Sequence, residues 1–295
     1  MRAALVAFLF YLCGSLFAQT ASTFRLTDTV FFAGATYSAC YITYDFHETD
    51  GIVPPVYPCL DSLAGLMLRH PELLIEIGSH TDSRGSDSSN LKLSQVRANS
   101  LEKYLVDKGV PRYALAAVGY GESDPAVPQK TIDAEPDKAK KELLHQQNRR
   151  TVLRILYVYS SFSFTDTAFT AGSTMLLPVL FDFNKPTLRP ESVKLVDSLA
   201  KFLLDNPQLV VEIGVHTDTR YSTAYSWCIP CSRSKSIADS LVARGVPAER
   251  VLYKGYKDSQ LLIPDAYIAK VSSKEGKEEL HALNRRTEVR IMAIR

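Results

Sequence analysis

The chain has 295 residues, with 34 Lys and Arg against 32 Asp and Glu, and 46% of it is hydrophobic. That composition excludes long disorder, a collagen-like repeat and a polytopic membrane protein, and the length suits two domains with separate cores. A formal net charge of +2 is too small for a general nucleic-acid binder, so no nucleic-acid partner is expected and charge-based recognition must be local.

Met1-Arg2 and the apolar run Ala3 to Leu12, ending in Ser15-Leu-Phe-Ala18, read as a secretory signal peptide over residues 1–18. The run is too short to span a bilayer, which needs roughly 20 apolar residues. Leu12 precedes Cys13 where a lipidation site would carry a small residue, so no lipid anchor and no spanning segment after cleavage are expected. Export places Cys40, Cys59, Cys228 and Cys231 in an oxidising compartment, where four cysteines allow three pairings. Cys40–Cys59 and Cys228–Cys231 are the expected pairs, because each lies within one half of the chain.

The rest of the chain is one unit written twice. Pro71-Glu-Leu-Leu-Ile-Glu-Ile-Gly-Ser-His-Thr-Asp82 recurs as Pro207-Gln-Leu-Val-Val-Glu-Ile-Gly-Val-His-Thr-Asp218, and the same offset of 136 carries Asn148-Arg-Arg-Thr151 onto Asn284-Arg-Arg-Thr287. A period this long means two whole domains and not a solenoid. Residues 22–159 and 160–295 are the predicted domains, joined near Ser160-Ser161 with almost no linker.

In the first unit the opening helix reads as broken by Gly and Pro between Gly51 and Pro58, and Gly109-Val-Pro111 ends a second helix that carries Leu101 and Leu105. In the second unit Met175 to Phe183 reads as a strand interrupted by Pro178. Pro190 opens a helix whose Val193, Val196, Leu199 and Leu203 share a face. Leu209 to Gly214 is a short strand, a helix carries Ile237 and Leu241 up to Gly245, Arg250 to Gly255 is a strand, and Thr287 to Ile291 alternates as a half-buried one. The Glu/Lys-rich stretches Glu135–Glu142 and Lys274–Glu279 read as solvated helix faces. The βαβαβ(α)β order predicts an α+β fold in each unit, a mixed sheet with helices packed over one face.

Asp82 follows a buried strand, and Ser94 is the predicted N-cap of the next helix, which would place Arg97 in its first turn. Free N–H groups there, with the Arg97 fork, suit a carboxylate, while Asp82 suits an ammonium. Together they fit the head of an amino acid; the same pair equally fits an internal salt bridge tying loop to helix. His80 and His216 read as structural, and no metal or cofactor is expected.

Glu76-Ile-Gly-Ser-His-Thr-Asp-Ser-Arg-Gly85, Asn90-Leu-Lys-Leu-Ser-Gln-Val-Arg-Ala98, Gly119-Tyr-Gly-Glu122 and Asn148-Arg-Arg150 resemble the OmpA-like C-terminal domain, and Phe181-Asp-Phe-Asn-Lys-Pro-Thr-Leu-Arg-Pro-Glu191 resembles its opening. The resemblance implies a non-enzymatic peptidoglycan-binding module. It implies a periplasmic place, with outer-membrane association as a variant. Its ligand would be the diaminopimelate of the stem peptide, with Asp82 as ammonium acceptor, Arg97 as carboxylate clamp, Thr81 and Asn90 lining the pocket and Asn148-Arg149 beside it. In the second unit Asp218 and Arg233 keep the pair's spacing, but Ser226 replaces Asn90, Tyr221 replaces Gly85 and Ile229-Pro230 replaces Leu93-Ser94, leaving that pocket in doubt. Trp227-Cys-Ile-Pro-Cys231 resembles a thioredoxin-like active site. A staple replacing the lost serine cap is the expected role, with a thiol–disulfide enzyme as the rival. A third alternative is an adaptor in an envelope assembly, with Tyr221, Tyr225 and Trp227 offered to a protein partner.

Overall fold

A computed structural model describes residues 23–37, 56–159, 162–220 and 228–295. The leader, Cys40 with its pairing to Cys59, the stretch Gly51–Pro55, the Ser160-Ser161 junction and Tyr221, Tyr225, Ser226 and Trp227 lie outside the described residues.

Each half builds a four-stranded mixed sheet. The first contains β1 (Thr36–Tyr37), α1 (Tyr57–Arg69), β2 (Leu73–His80), α2 (Asp87–Asp107), β3 (Leu115–Gly121), α3 (Gln129–Asp133), α4 (Lys138–Asn148) and β4 (Thr151–Val158). The second contains β5 (Thr174–Leu176), α5 (Pro190–Asp205), β6 (Leu209–His216), α6 (Ile229–Val242), β7 (Val251–Lys257), α7 (Asp265–Ile268), α8 (Lys274–Asn284) and β8 (Thr287–Ile294). Strand orders are β1-β4-β2-β3 and β5-β8-β6-β7, with β2–β3 and β6–β7 parallel and the rest antiparallel. The α+β reading of the sequence is therefore correct in both halves.

Helices α1 and α2 pack on one face of the first sheet. Leu60, Leu63, Leu101 and Leu105 meet Ile75, Ile77 and Leu115 there, all fully buried. Each such side chain contributes roughly 1.5–3 kcal/mol through the water it sheds. The close approach of α2 to β3 depends on Gly119, where a Cβ would lie 2.4 Å from the Gln95 backbone nitrogen; Gly255 stands in the same relation to Cys231. At the end of β2 the register slips between Ser79 and His80, opposite Gly121 at φ 57°. The second unit makes the same slip with Lys257 at φ 54°, a conformation that strains a side chain with a Cβ. This bulge sets the direction of the Thr-Asp pair that follows each strand.

Helix α1 runs from Tyr57 to Arg69 with Pro58 in its first turn, where a missing N–H costs nothing, and the Gly51–Pro55 part of the expected break lies outside the described residues. Three expectations are corrected. The Met175–Phe183 strand stops at Leu176, after which only Phe181 bridges to Leu188, Pro178 having no N–H to continue the ladder. Ser94 is not a cap. Helix α2 starts seven residues earlier, at Asp87, with the Ser86 hydroxyl accepting from the Ser89 N–H at 3.2 Å. Arg97 thus lies ten residues past the helix's first residue, beyond the reach of the free N–H groups. The third concerns Lys274–Glu279. Glu275 and Glu278 are exposed as expected, but Gly276, Leu280 and Leu283 recur at helical spacing and press against the first unit. A count of charges hides that stripe.

The first sheet is consequently covered on both faces. Its outer face, with Ala116 and Val118 fully buried, forms a joint core with Ile263, Ile268, Val271 and Leu280 of the second unit. Polar contacts seal its border: the Tyr267 hydroxyl donates to Glu76 Oε2 at 2.8 Å and pairs with Arg154, and the Ser273 hydroxyl donates to Gln95 Oε1 at 3.0 Å. Arg112 bridges Glu102 and Glu279. Among the described residues no helix is long and apolar enough to cross a membrane.

Candidate functional site

Asp82 leaves the β2 bulge with its side chain 7% exposed. Its carboxylate is not paired with Arg97. It accepts from Arg84 Nη2 at 2.6 Å, Arg84 Nε at 3.1 Å and the Arg84 backbone N–H at 3.1 Å, and from Arg149 Nη1 at 2.5 Å. The outer ends of both guanidiniums meet Glu142, Arg84 Nη1 at 2.8 Å and Arg149 Nη2 at 2.8 Å. The result is a square of two carboxylates and two guanidiniums linking the bulge, the loop after it and the end of α4. Burial pushes the Asp82 carboxyl up, but the hydrogen bonds from Arg84 and Arg149 outweigh it and hold the pKa below the ordinary value of 3.8. Glu142 is likewise held low by Arg149 and Arg84.

The same square stands in the second unit. Asp218 accepts from Arg220 Nη2 at 2.7 Å and from Arg285 Nη1 at 2.6 Å, and both arginines meet Glu278, at 2.8 and 2.6 Å. Arg84, Glu142, Arg220, Glu278 and Arg285 complete the squares beyond the residues expected from sequence. The 136-residue offset carries Arg84 onto Arg220, Glu142 onto Glu278 and Arg149 onto Arg285, so the repeat itself held the signal.

Arg84 and Arg220 are about half exposed, with side chains 53% and 48% exposed, as are Glu142 and Glu278 at 51% and 53%. Among the described residues, the buried hydroxyls of Thr81 and Thr217 find no hydrogen-bond partner. Asn90 is buried beside the loop, its amide donating to the Asp82 carbonyl at 3.1 Å and to Glu122. Gly85, at φ 110°, gives the loop room against it. Asn148 is placed as a clip: its Oδ1 accepts from the Val127 N–H at 2.8 Å and its Nδ2 donates to the Val127 carbonyl at 2.9 Å, and Asn284 grips Ile263 in the same way. Arg97 is half-buried on α2. Arg233 lies over the Phe181 ring at 4.8 Å and donates to the carbonyls of Lys185 and Asp182, so it ties α6 to the loop before α5 and makes no pair with Asp218. Together with Arg285 it borders a cavity of about 760 Å³ that Tyr113 and Tyr159 of the first unit help to line.

His80 and His216 stack on Tyr120 and Tyr256, 4.9 and 4.8 Å between ring centroids. Burial, with Arg150 and Arg154 nearby, drops the His80 pKa to about 3, which keeps the ring neutral at physiological pH. Cys228 and Cys231 form a disulfide. The Cys228 sulfur is also the N-cap acceptor of α6, receiving the Cys231 N–H at 3.2 Å.

Two mixed sheets stand in tandem, each carrying the same charged square beyond a bulged central strand. The model of the OmpA family matches residues 48–139 and 180–273, more than half of the chain, and the chain belongs to that family. Among similar proteins, outer membrane porin F of Pseudomonas fluorescens is 39% identical over 90 residues, which cover 30% of this chain and 27% of that protein. The peptidoglycan-associated lipoprotein of Buchnera aphidicola is 36% identical over 94 residues, covering 32% of this chain and 49% of that one. The chain thus spans between a quarter and a half of the length of these relatives. The solved cell wall anchor of the T6SS from Pseudomonas aeruginosa is similar at 26% identity and a TM-score of 0.33, over 41% of this chain and 79% of its own.

Proposed function

We propose that this is a non-enzymatic protein of the cell envelope, exported by residues 1–18 to the periplasm and binding peptidoglycan through domains 22–159 and 160–295. The ligand is the zwitterionic head of diaminopimelate on the stem peptide. Asp82 receives its ammonium, Arg97 and Arg149 offer donors to its carboxylate, and Thr81 and Asn90 line the approach; Asn148 holds the neighbouring loop. Asp218 and Arg285 give the second unit the same acceptor and donor, with Arg233 at the side of its cavity.

One observation carries this reading: a nearly buried carboxylate is covered in both units by a guanidinium that is itself about half exposed. Arg84 occupies the position of a cation that an incoming ammonium can exchange with, and Thr81, whose buried hydroxyl has no partner among the described residues, directly precedes Asp82 in the chain. The family membership and the relative named for its association with peptidoglycan support peptidoglycan as the target. Two weak sites on one polymer reinforce each other through effective concentration, which gives the duplication a use. Sedimentation of the full chain with purified sacculi tests the proposal. Asp82→Asn is expected to reduce the bound fraction and Asp82→Asn/Asp218→Asn to remove it, with walls containing diaminopimelate retained over walls containing lysine. Full retention of the double variant would refute it.

A further inference from the structure

The two sheets differ in what covers their outer faces. In the first unit α7 and α8 fill that face, Gly276 approaching so closely that a Cβ there would lie 3.0 Å from Val118. At the corresponding positions of the second sheet Ala116 becomes Leu252 and Val118 becomes Lys254. Leu252 and Met292 are 45% and 42% exposed. Tyr256 stands between two cations, with Lys254 Nζ 4.5 Å from its ring and the Arg290 guanidinium 6.0 Å away. Glu212 repeats the buried Glu76. It accepts from Tyr256 at 2.7 Å as Glu76 does from Tyr120, but among the described residues no second hydroxyl does for it what Tyr267 does for Glu76.

We propose that this outer face, built on Leu252, Lys254, Tyr256, Arg290 and Met292, docks an amphipathic acidic helix of another protein. The occupied twin shows that the geometry accepts a helix laid across the strands, apolar residues inward and a tyrosine hydroxyl on the glutamate. The change of Val118 to Lys254, with Arg290 beside it, sets the charge: the incoming helix must carry carboxylates on the side facing them. A second copy of this chain is refused. The segment that repeats α8 is α4, which places Lys140 where α8 has Gly276 and carries Lys138 and Lys141 alongside, so cation would meet cation. That refusal also prevents the head-to-tail contact within the chain from propagating into a filament. The proposal does not rest on wall binding, which sacculus sedimentation reads separately.

The test is photocrosslinking in cells, with the full chain carrying a benzophenone amino acid at position 292, followed by mapping of the crosslinked peptide. The expected result is one discrete adduct with another protein, mapped to a helix of net negative charge on the contacting side. Its yield should fall at least tenfold in Lys254→Glu and stay unchanged in Lys130→Glu, an exposed charge on α3, with the thermal midpoint of both variants retained. A second variant, Leu252→Asp, should lower the yield by adding a like charge. No adduct, an adduct only with lipid or with a second copy, a basic partner segment, or a yield indifferent to Lys254→Glu would overturn it.

Discussion

Replacing Arg84 with alanine should tighten ligand binding, although a guanidinium beside a binding carboxylate would ordinarily be assumed to help. In the structure Arg84 donates to both Asp82 and Glu142, and an ammonium reaching Asp82 must displace it. Its side chain is about half exposed, so solvent screens the pair and its displacement costs about 1 kcal/mol at most. Arg149 remains on Asp82, so the carboxylate stays ionised and anchored when Arg84 is gone. Removing the internal competitor should therefore return about 1 kcal/mol to the ligand, which is up to about a fivefold fall in Kd. Titration calorimetry with a muropeptide containing diaminopimelate, on Asp218→Asn protein so that only the first unit reports, measures this directly. The gain should shrink as salt rises, because the competing pair is itself screened. A Kd that rises several-fold in Arg84→Ala would show that Arg84 holds the ligand, and the exchange argument would fail.

Three further outcomes follow from the geometry. Asn148→Ala should destabilise the first unit by about 1–3 kcal/mol, since it strips two partly buried hydrogen bonds from Val127, while the folded protein sediments with sacculi as before; chemical denaturation set beside the pull-down separates the roles. His80 binds no proton in the folded state until about pH 3, whereas the unfolded chain binds one below 6.5. Stability should thus fall as pH drops through that window, by up to about 1.4 kcal/mol per pH unit, and denaturant midpoints of His80→Phe should show a shallower acid slope. Gly119→Ala should cost the first unit several times the roughly 1 kcal/mol typical of a point change, because its Cβ would meet the backbone of α2 at 2.4 Å; a thermal midpoint unchanged from the parent would contradict the close packing described.

Much of this protein was legible as a one-dimensional pattern. Apolar period, Pro at helix starts, Gly after helix ends and a repeat offset of 136 residues depend on neighbours in the chain, and they specified two α+β units and most element positions. The cap of α2 is legible too, in Ser86-Asp-Ser-Ser, a run that offers a hydroxyl N-cap with an acidic first turn. What only the tertiary structure decided were contacts between residues far apart in sequence. Asp82 and Arg97 are on adjacent elements, yet the bulge and the length of α2 give Asp82 to Arg84 and Arg149 instead. Asn148 belongs to Val127, and α8 belongs to the neighbouring unit's sheet. Sequence spacing determines which face of an element is apolar; it does not determine which of two nearly equivalent sheets that face will cover, because the choice between Val118 and Lys254 is made only when both surfaces exist in three dimensions.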